Sequence, residues 1–213
     1  MRMRTILSAS GVAAVMAVGL GATTALATAA TTWTVKPGGL YTAKSGTTTL
    51  TDTKTGAVLT CTSSAAAGKL KSGSGLANPI GTVTSNTFTG CTGPAGLTFS
   101  VKTSATSTTP WKVNATGFSS GVTTGNISGI HATLTGTNNT CKATVDGTGA
   151  TAKNGKVAIS HSNSAATKLK VTKGINLHSY NVSAGCLGAI NSGDPVTFKT
   201  TYTLNKAQTI TSP

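Results

Sequence analysis

Three aspartates, three histidines and four cysteines are the residues of this chain best suited to chemistry, and no glutamate joins them. Hydrolysis of a sugar bond calls for two carboxylates facing one cleft. Asp52, Asp146 and Asp194 instead stand in turn-like settings, Thr51-Asp52-Thr53, Asp146-Gly147 and Gly193-Asp194-Pro195. Asp before Gly or Pro organises turns by bonding to nearby backbone. So sparse a supply of carboxylates fits neither a glycosidase nor an acid-rich calcium site. Nucleophilic catalysis needs a Ser or Cys beside a His that an acid orients. His131, His161 and His178 are widely separated, and serines are too abundant to single one out. His178 alternates with Tyr180 and Val182, as an inward strand residue would, while His131 is out of phase with Ile130 and Ala132. All three read as ordinary strand histidines, and a three-His metal site would need the fold to gather them. The glycine-rich stretch 68–75 lacks the Gly-Lys-Ser/Thr ending of a phosphate loop. No catalytic, cofactor-binding or metal-binding residue is assigned, no cofactor is expected, and the chain reads as a non-enzyme.

The cysteines point elsewhere. Cys61, Cys91, Cys141 and Cys186 lie thirty or more residues apart with no C-x-x-C pair, unlike zinc ligands. An even number in an exported chain predicts two disulfides. Export is read from the N-terminus: Met1-Arg2-Met3-Arg4, an uncharged apolar stretch to about Leu20, then small residues at Ala25-Leu26-Ala27 and Ala27-Thr28-Ala29. This is the pattern of a signal peptide over 1–29, cleaved after Ala27 or after Ala29. The stretch is short against the ~20 residues that span a bilayer. No later apolar run is long enough, so the mature part, 30–213, is expected to be secreted without a transmembrane segment.

Charge is lopsided. The chain carries 17 Lys and Arg against 3 acidic residues, a net +14. Its only arginines, Arg2 and Arg4, fall in the signal segment, so the rest is basic through lysine alone. Such a balance invites polyanions. Base readout and tight phosphate recognition lean on Arg forks and aromatic platforms, and both are scarce. Specific nucleic-acid binding is therefore not expected; the partner stays open, with weak attraction to an anionic cell-wall polymer or surface as the alternative to a purely solubilising role. Lysines on strand surfaces also blunt sheet edges and keep β proteins in solution. Lys168, Lys170 and Lys173 form the nearest thing to a cluster.

The elements that must carry these residues are strands. About a fifth of the chain is Thr, with Gly, Ser and Ala close behind. Thr favours extended backbone, Gly and Ser supply turns, and helix formers such as Glu, Leu, Arg and Gln are few. Val196, Phe198, Tyr202 and Leu204 alternate with Thr197, Lys199, Thr201 and Thr203. Leu97, Phe99 and Val101 alternate likewise, as do Trp111, Val113 and Ala115, Val157 with Ile159, and Leu169 with Val171. Each reads as a half-buried strand. Segments 49–53 and 57–61 around Lys54-Thr55-Gly56 predict a hairpin. Parity changes near Gly129 and Ser179 mark bulges or strand ends. Trp33 and Trp111 serve either as core anchors or as an exposed stacking platform, and in a chain so short of large apolar groups burial is the better use.

An internal echo runs through the chain. Trp33-Thr34-Val35 stands about thirty residues before Cys61, and Trp111-Lys112-Val113 about thirty before Cys141. Gly90-Cys91 and Gly185-Cys186 follow, each ahead of an alternating strand. Two duplicated halves, 30–105 and 110–213, are one reading, and low complexity imitating similarity is the other. Of the three possible pairings, the order of this echo favours Cys61–Cys91 and Cys141–Cys186. The fold class expected is all-β: an antiparallel sandwich or barrel-like body with two disulfides.

The W-x-V starts together with "CTSSAAAG", "TFTGCTGP", "GNISGIHATLTG" and "VTFKTTYTL" resemble small secreted actinobacterial proteins with no assigned role. The resemblance implies secretion and a β fold and transfers no active site. The function expected is that of a non-enzymatic extracellular structural or binding protein associated with the cell envelope. The alternative is a secreted hydrolase or small-ligand carrier using a His/Ser/Asp cleft.

Overall fold

The alternating segments pair antiparallel throughout and turn their apolar positions inward. The structure is a computed structural model that describes residues 31–212, so the segment 1–29, expected to be a signal peptide, lies outside the described residues. The strands are β1 (Trp33–Lys36), β2 (Gly39–Ser45), β3 (Thr48–Asp52), β4 (Val58–Leu70), β5 (Gly73–Leu76), β6 (Gly81–Thr92), β7 (Thr98–Thr103) and β8 (Trp111–Ser119). They continue as β9 (Val122–Ile130), β10 (Ala132–Gly136), β11 (Lys142–Asp146), β12 (Gly155–Ser162), β13 (Lys168–Gly174), β14 (His178–Tyr180), β15 (Val196–Leu204) and β16 (Thr209–Thr211).

Eight of them, in the order β6-β8-β9-β12-β13-β15-β2-β4, form a barrel that closes where β4 pairs with β6. Closure leaves the ring without an unpaired edge. Between sandwich and barrel, the fold is the barrel. β3 bridges β4 and β15 at one end. There β7, β10, β11 and β14 extend the wall beyond β6, and an isolated bridge from His178 to Pro195 returns it to the head of β15. At the other end the three-stranded sheet β16-β1-β5 forms a cap. It is tied down by Thr123 Oγ1 donating to the Ile210 carbonyl at 2.9 Å and by Asn163 bonding both polar groups of the Ile210 backbone. Segments 30–105 and 110–213 interleave, because β6 pairs with β8, β7 with β10, β15 with β2 and β1 with β16.

Local chemistry explains the turns. In the β3–β4 hairpin Asp52 Oδ1 accepts from the backbone N–H groups of Lys54 and Thr55, and Gly56 takes a φ of 76°. The β8–β9 turn runs through Ser120 and Gly121 at φ 49° and 77°, the left-handed pair of a tight hairpin. The parity change expected near Gly129 is a register shift in the β9–β12 pairing.

The core runs the length of the barrel. Trp33 and Trp111 are both buried, at 1% and 7% exposure, so neither is a surface platform. Cys61–Cys91 staples directly opposed residues of β4 and β6. Cys141–Cys186 ties the entry to β11 to the short 3-10 turn Ala184–Cys186.

Candidate functional site

All three aspartates and two of the three histidines lie in a row along the end of the barrel opposite the cap, linked through neighbouring strand backbones. Asp52 on β3 faces Val196, Pro195 bridges to His178, and His178 on β14 faces Asp146 on β11. His131, in the β9–β10 link, completes the row with its Nδ1 2.8 Å from Asp146 Oδ2. Nothing in the local sequence announces this gathering, because each residue comes from a different strand end.

Asp146 is wholly buried, and its carboxylate accepts from the backbone N–H of Gly147 (2.6 Å), Lys153 (2.9 Å) and Asn154 (3.1 Å) as well as from His131. Burial pushes this carboxyl up, and the bonds from His131 and the three amides outweigh it, leaving it below the ordinary range. Neighbouring groups converge on Gly147, whose carbonyl accepts from the Tyr180 hydroxyl at 2.8 Å and from His178 Nδ1 at 3.2 Å. His178 is half-buried, and Ser179 is the fully buried residue of β14, so the inward phase belongs to Ser179 rather than to His178. Ser179 is drawn in because its hydroxyl donates to the Asn191 and Asp194 carbonyls.

Asp194 is also buried and bonds Lys54 Nζ at 2.9 Å and Asn191 Nδ2 at 3.0 Å. The bond from Lys54, followed by that from Asn191, holds its carboxyl down, and the same contact raises the Lys54 ammonium. Each carboxylate therefore already serves turns, loops and a lysine. An Asp–His pair is two-thirds of a nucleophile-activating triad. Among the described residues, however, no hydroxyl is hydrogen-bonded to His131. Gly117-Phe118-Ser119-Ser120-Gly121 carries the Gly-x-Ser-x-Gly spacing. Ser119 ends β8 and the turn leads into another strand, so the strained strand-to-helix elbow that this spacing serves in hydrolases is not formed. No group of three or more His, Cys or Asp side chains suited to a metal occurs among the described residues.

His161 lies apart, at the cap end. Its Nδ1 is 2.9 Å from the Lys168 carbonyl and its Nε2 2.9 Å from that of Gln208.

Lysine is distributed differently. β13, β15 and β2 are neighbours in the barrel, and their outward positions include Lys168, Lys170 and Lys173, then Lys199, then Lys44. Lys168 stands opposite Thr203, and Thr203 opposite Lys44, so the three form a row across the wall. Lys168 Nζ donates to Thr203 Oγ1 at 2.7 Å. Closing the barrel thus adds Lys44 and Lys199 to the short run visible in the sequence. The aspartates, gathered at the end opposite the cap, leave this wall free of carboxylates among the described residues.

Fold and surface together define a disulfide-stapled, capped antiparallel barrel with a lysine-bearing wall. No protein-family model, curated protein or solved structure matches the chain.

Proposed function

We propose that the protein is an exported, non-enzymatic binding module of the cell envelope that associates through its lysine wall with an anionic cell-wall polymer. The observation that carries the reading is the row Lys168–Thr203–Lys44 flanked by Lys170, Lys173 and Lys199. Neighbouring strands lie ~4.8 Å apart, so ammonium groups two strands away are separated by roughly 10 Å. That is about one Debye length at 0.1 M salt, close enough for their fields to add along a flexible polyanion. Ammonium groups act as point charges and do not grip one phosphate bidentately, which suits a repeating polymer better than a discrete anion. Two disulfides and the N-terminal pattern of basic, apolar and small residues support an extracellular setting. The surface positions are held on barrel strands, so binding requires no ordering of a loop.

Pull-down of the oxidised protein on a purified phosphodiester wall polymer across graded NaCl tests this. Retention should fall steeply with salt and drop at least tenfold in a variant carrying Lys44→Gln, Lys168→Gln, Lys170→Gln and Lys199→Gln. Retention no better than that of a neutral secreted control, or unchanged in the variant, refutes it.

A further inference from the structure

The barrel encloses an internal space of about 130 Å³, lined almost wholly by carbon. Its origin lies in the composition. Eight strands make a barrel whose interior is just filled by side chains or left open for one small ligand. Here the wall positions facing the space include Ala43, Ala66 and Ala115, on β2, β4 and β8. Small residues at these places leave a void that leucine or phenylalanine would fill.

The space is built to stay dry. The Tyr202 hydroxyl is occupied by Ser64 Oγ at 2.7 Å and Asn86 Nδ2 at 2.9 Å. The Tyr41 hydroxyl donates to the Thr82 carbonyl and Thr123 to Ile210, while the His161 ring nitrogens each lie 2.9 Å from a backbone carbonyl, of Lys168 and of Gln208. Thr48 Oγ1, Asn86 Oδ1 and Gln208 Nε2 lack a partner among the described residues, but they expose almost no surface to the space, whereas an internal water needs two to four polar partners. An engineered apolar cavity of about 150 Å³ in another protein stays empty of water and takes up benzene or xenon.

We propose that the lumen is a binding site for one small, uncharged, hydrocarbon-like molecule of about benzene size. This site is separate from the lysine wall, and neither proposal depends on the other. Entry runs through the cap, whose hold on the barrel rests on the bonds from Thr123 and Asn163 to Ile210 and from His161 to Gln208. Local opening of such a short sheet costs less than unfolding the barrel.

Two measurements on the oxidised protein decide the matter. Crystals pressurised with xenon should show xenon between Ala43 and Ala115, and calorimetric melting with benzene at about ten times its Kd should raise Tm by roughly 3–6 °C. Buffer alone and acetamide, a small polar probe, should give no shift. The Ala115→Leu variant, which fills the space, should lose the benzene shift while keeping both disulfides and its strand circular dichroism. Ordered water in the lumen of unpressurised crystals, or absence of both xenon and a benzene shift in the parent protein, overturns the proposal. The xenon result stands whether or not the variant folds.

Discussion

Replacing Asp146 by Ala probes the hydrogen-bonded knot at the end of the barrel opposite the cap most directly. Its carboxylate is wholly buried and accepts four bonds, from Gly147, Lys153, Asn154 and His131. Gly147 is buried, so its stranded N–H costs about 1–3 kcal/mol. Lys153, Asn154 and His131 are partly or fully exposed, and water recovers part of their loss, leaving roughly 0.5–1 kcal/mol each. The sum is about 2.5–6 kcal/mol, or a fall in Tm on the order of 10 °C for a chain of this size. Urea melts at pH 7 would measure it. The pH dependence adds an independent check. Unfolded, the carboxyl titrates at its ordinary 3.8, and folded it titrates lower. Its stabilising contribution is therefore complete above about pH 5 and is lost as pH falls below 3.8 toward the folded value. The Asp146→Ala variant should lack that part of the acid slope. A loss below about 1 kcal/mol at pH 7, or the same acid slope in variant and parent, would show that the bonds do not hold the loop as described.

Other perturbations test the frame. Removing Cys61–Cys91, which closes 30 residues, should cost about 3.6 kcal/mol by chain entropy, and removing Cys141–Cys186, which closes 45, about 4 kcal/mol. Equilibrium melts of the paired Cys→Ala variants check both values. Tyr202→Phe strands Asn86 and Ser64 in the core and should cost about 2 kcal/mol in the same assay. Burial raises the Tyr41 and Tyr202 phenols, so absorbance titration should find both still protonated at pH 10, where an ordinary tyrosine is half ionised. Phenolate signal from all three tyrosines by that pH would contradict their burial.

Much of the framework was readable along the chain. Alternation at 196–204, 111–115 and 157–159 placed strands, because the side-chain period of a strand is a local property. The turn at Asp52 was legible because it is made by residues two and three positions away. The echo of W-x-V and Gly-Cys segments favoured the disulfide pairs that form. Charge, threonine content and the dearth of carboxylates narrowed the chemistry before any contact was known. What alternation does not encode is which edge a strand pairs with. Closure of β4 on β6, rather than two stacked sheets, is decided by register and twist summed around eight strands. The unfilled lumen follows from that closure, the joining of Lys44 and Lys199 to the β13 lysines from the β13–β15–β2 pairing, and the nearness of Asp52, Asp194, His178, Asp146 and His131 from the β3–β15, β11–β14 and His178–Pro195 pairings. Each unites residues distant in sequence, so only the tertiary structure brings them together.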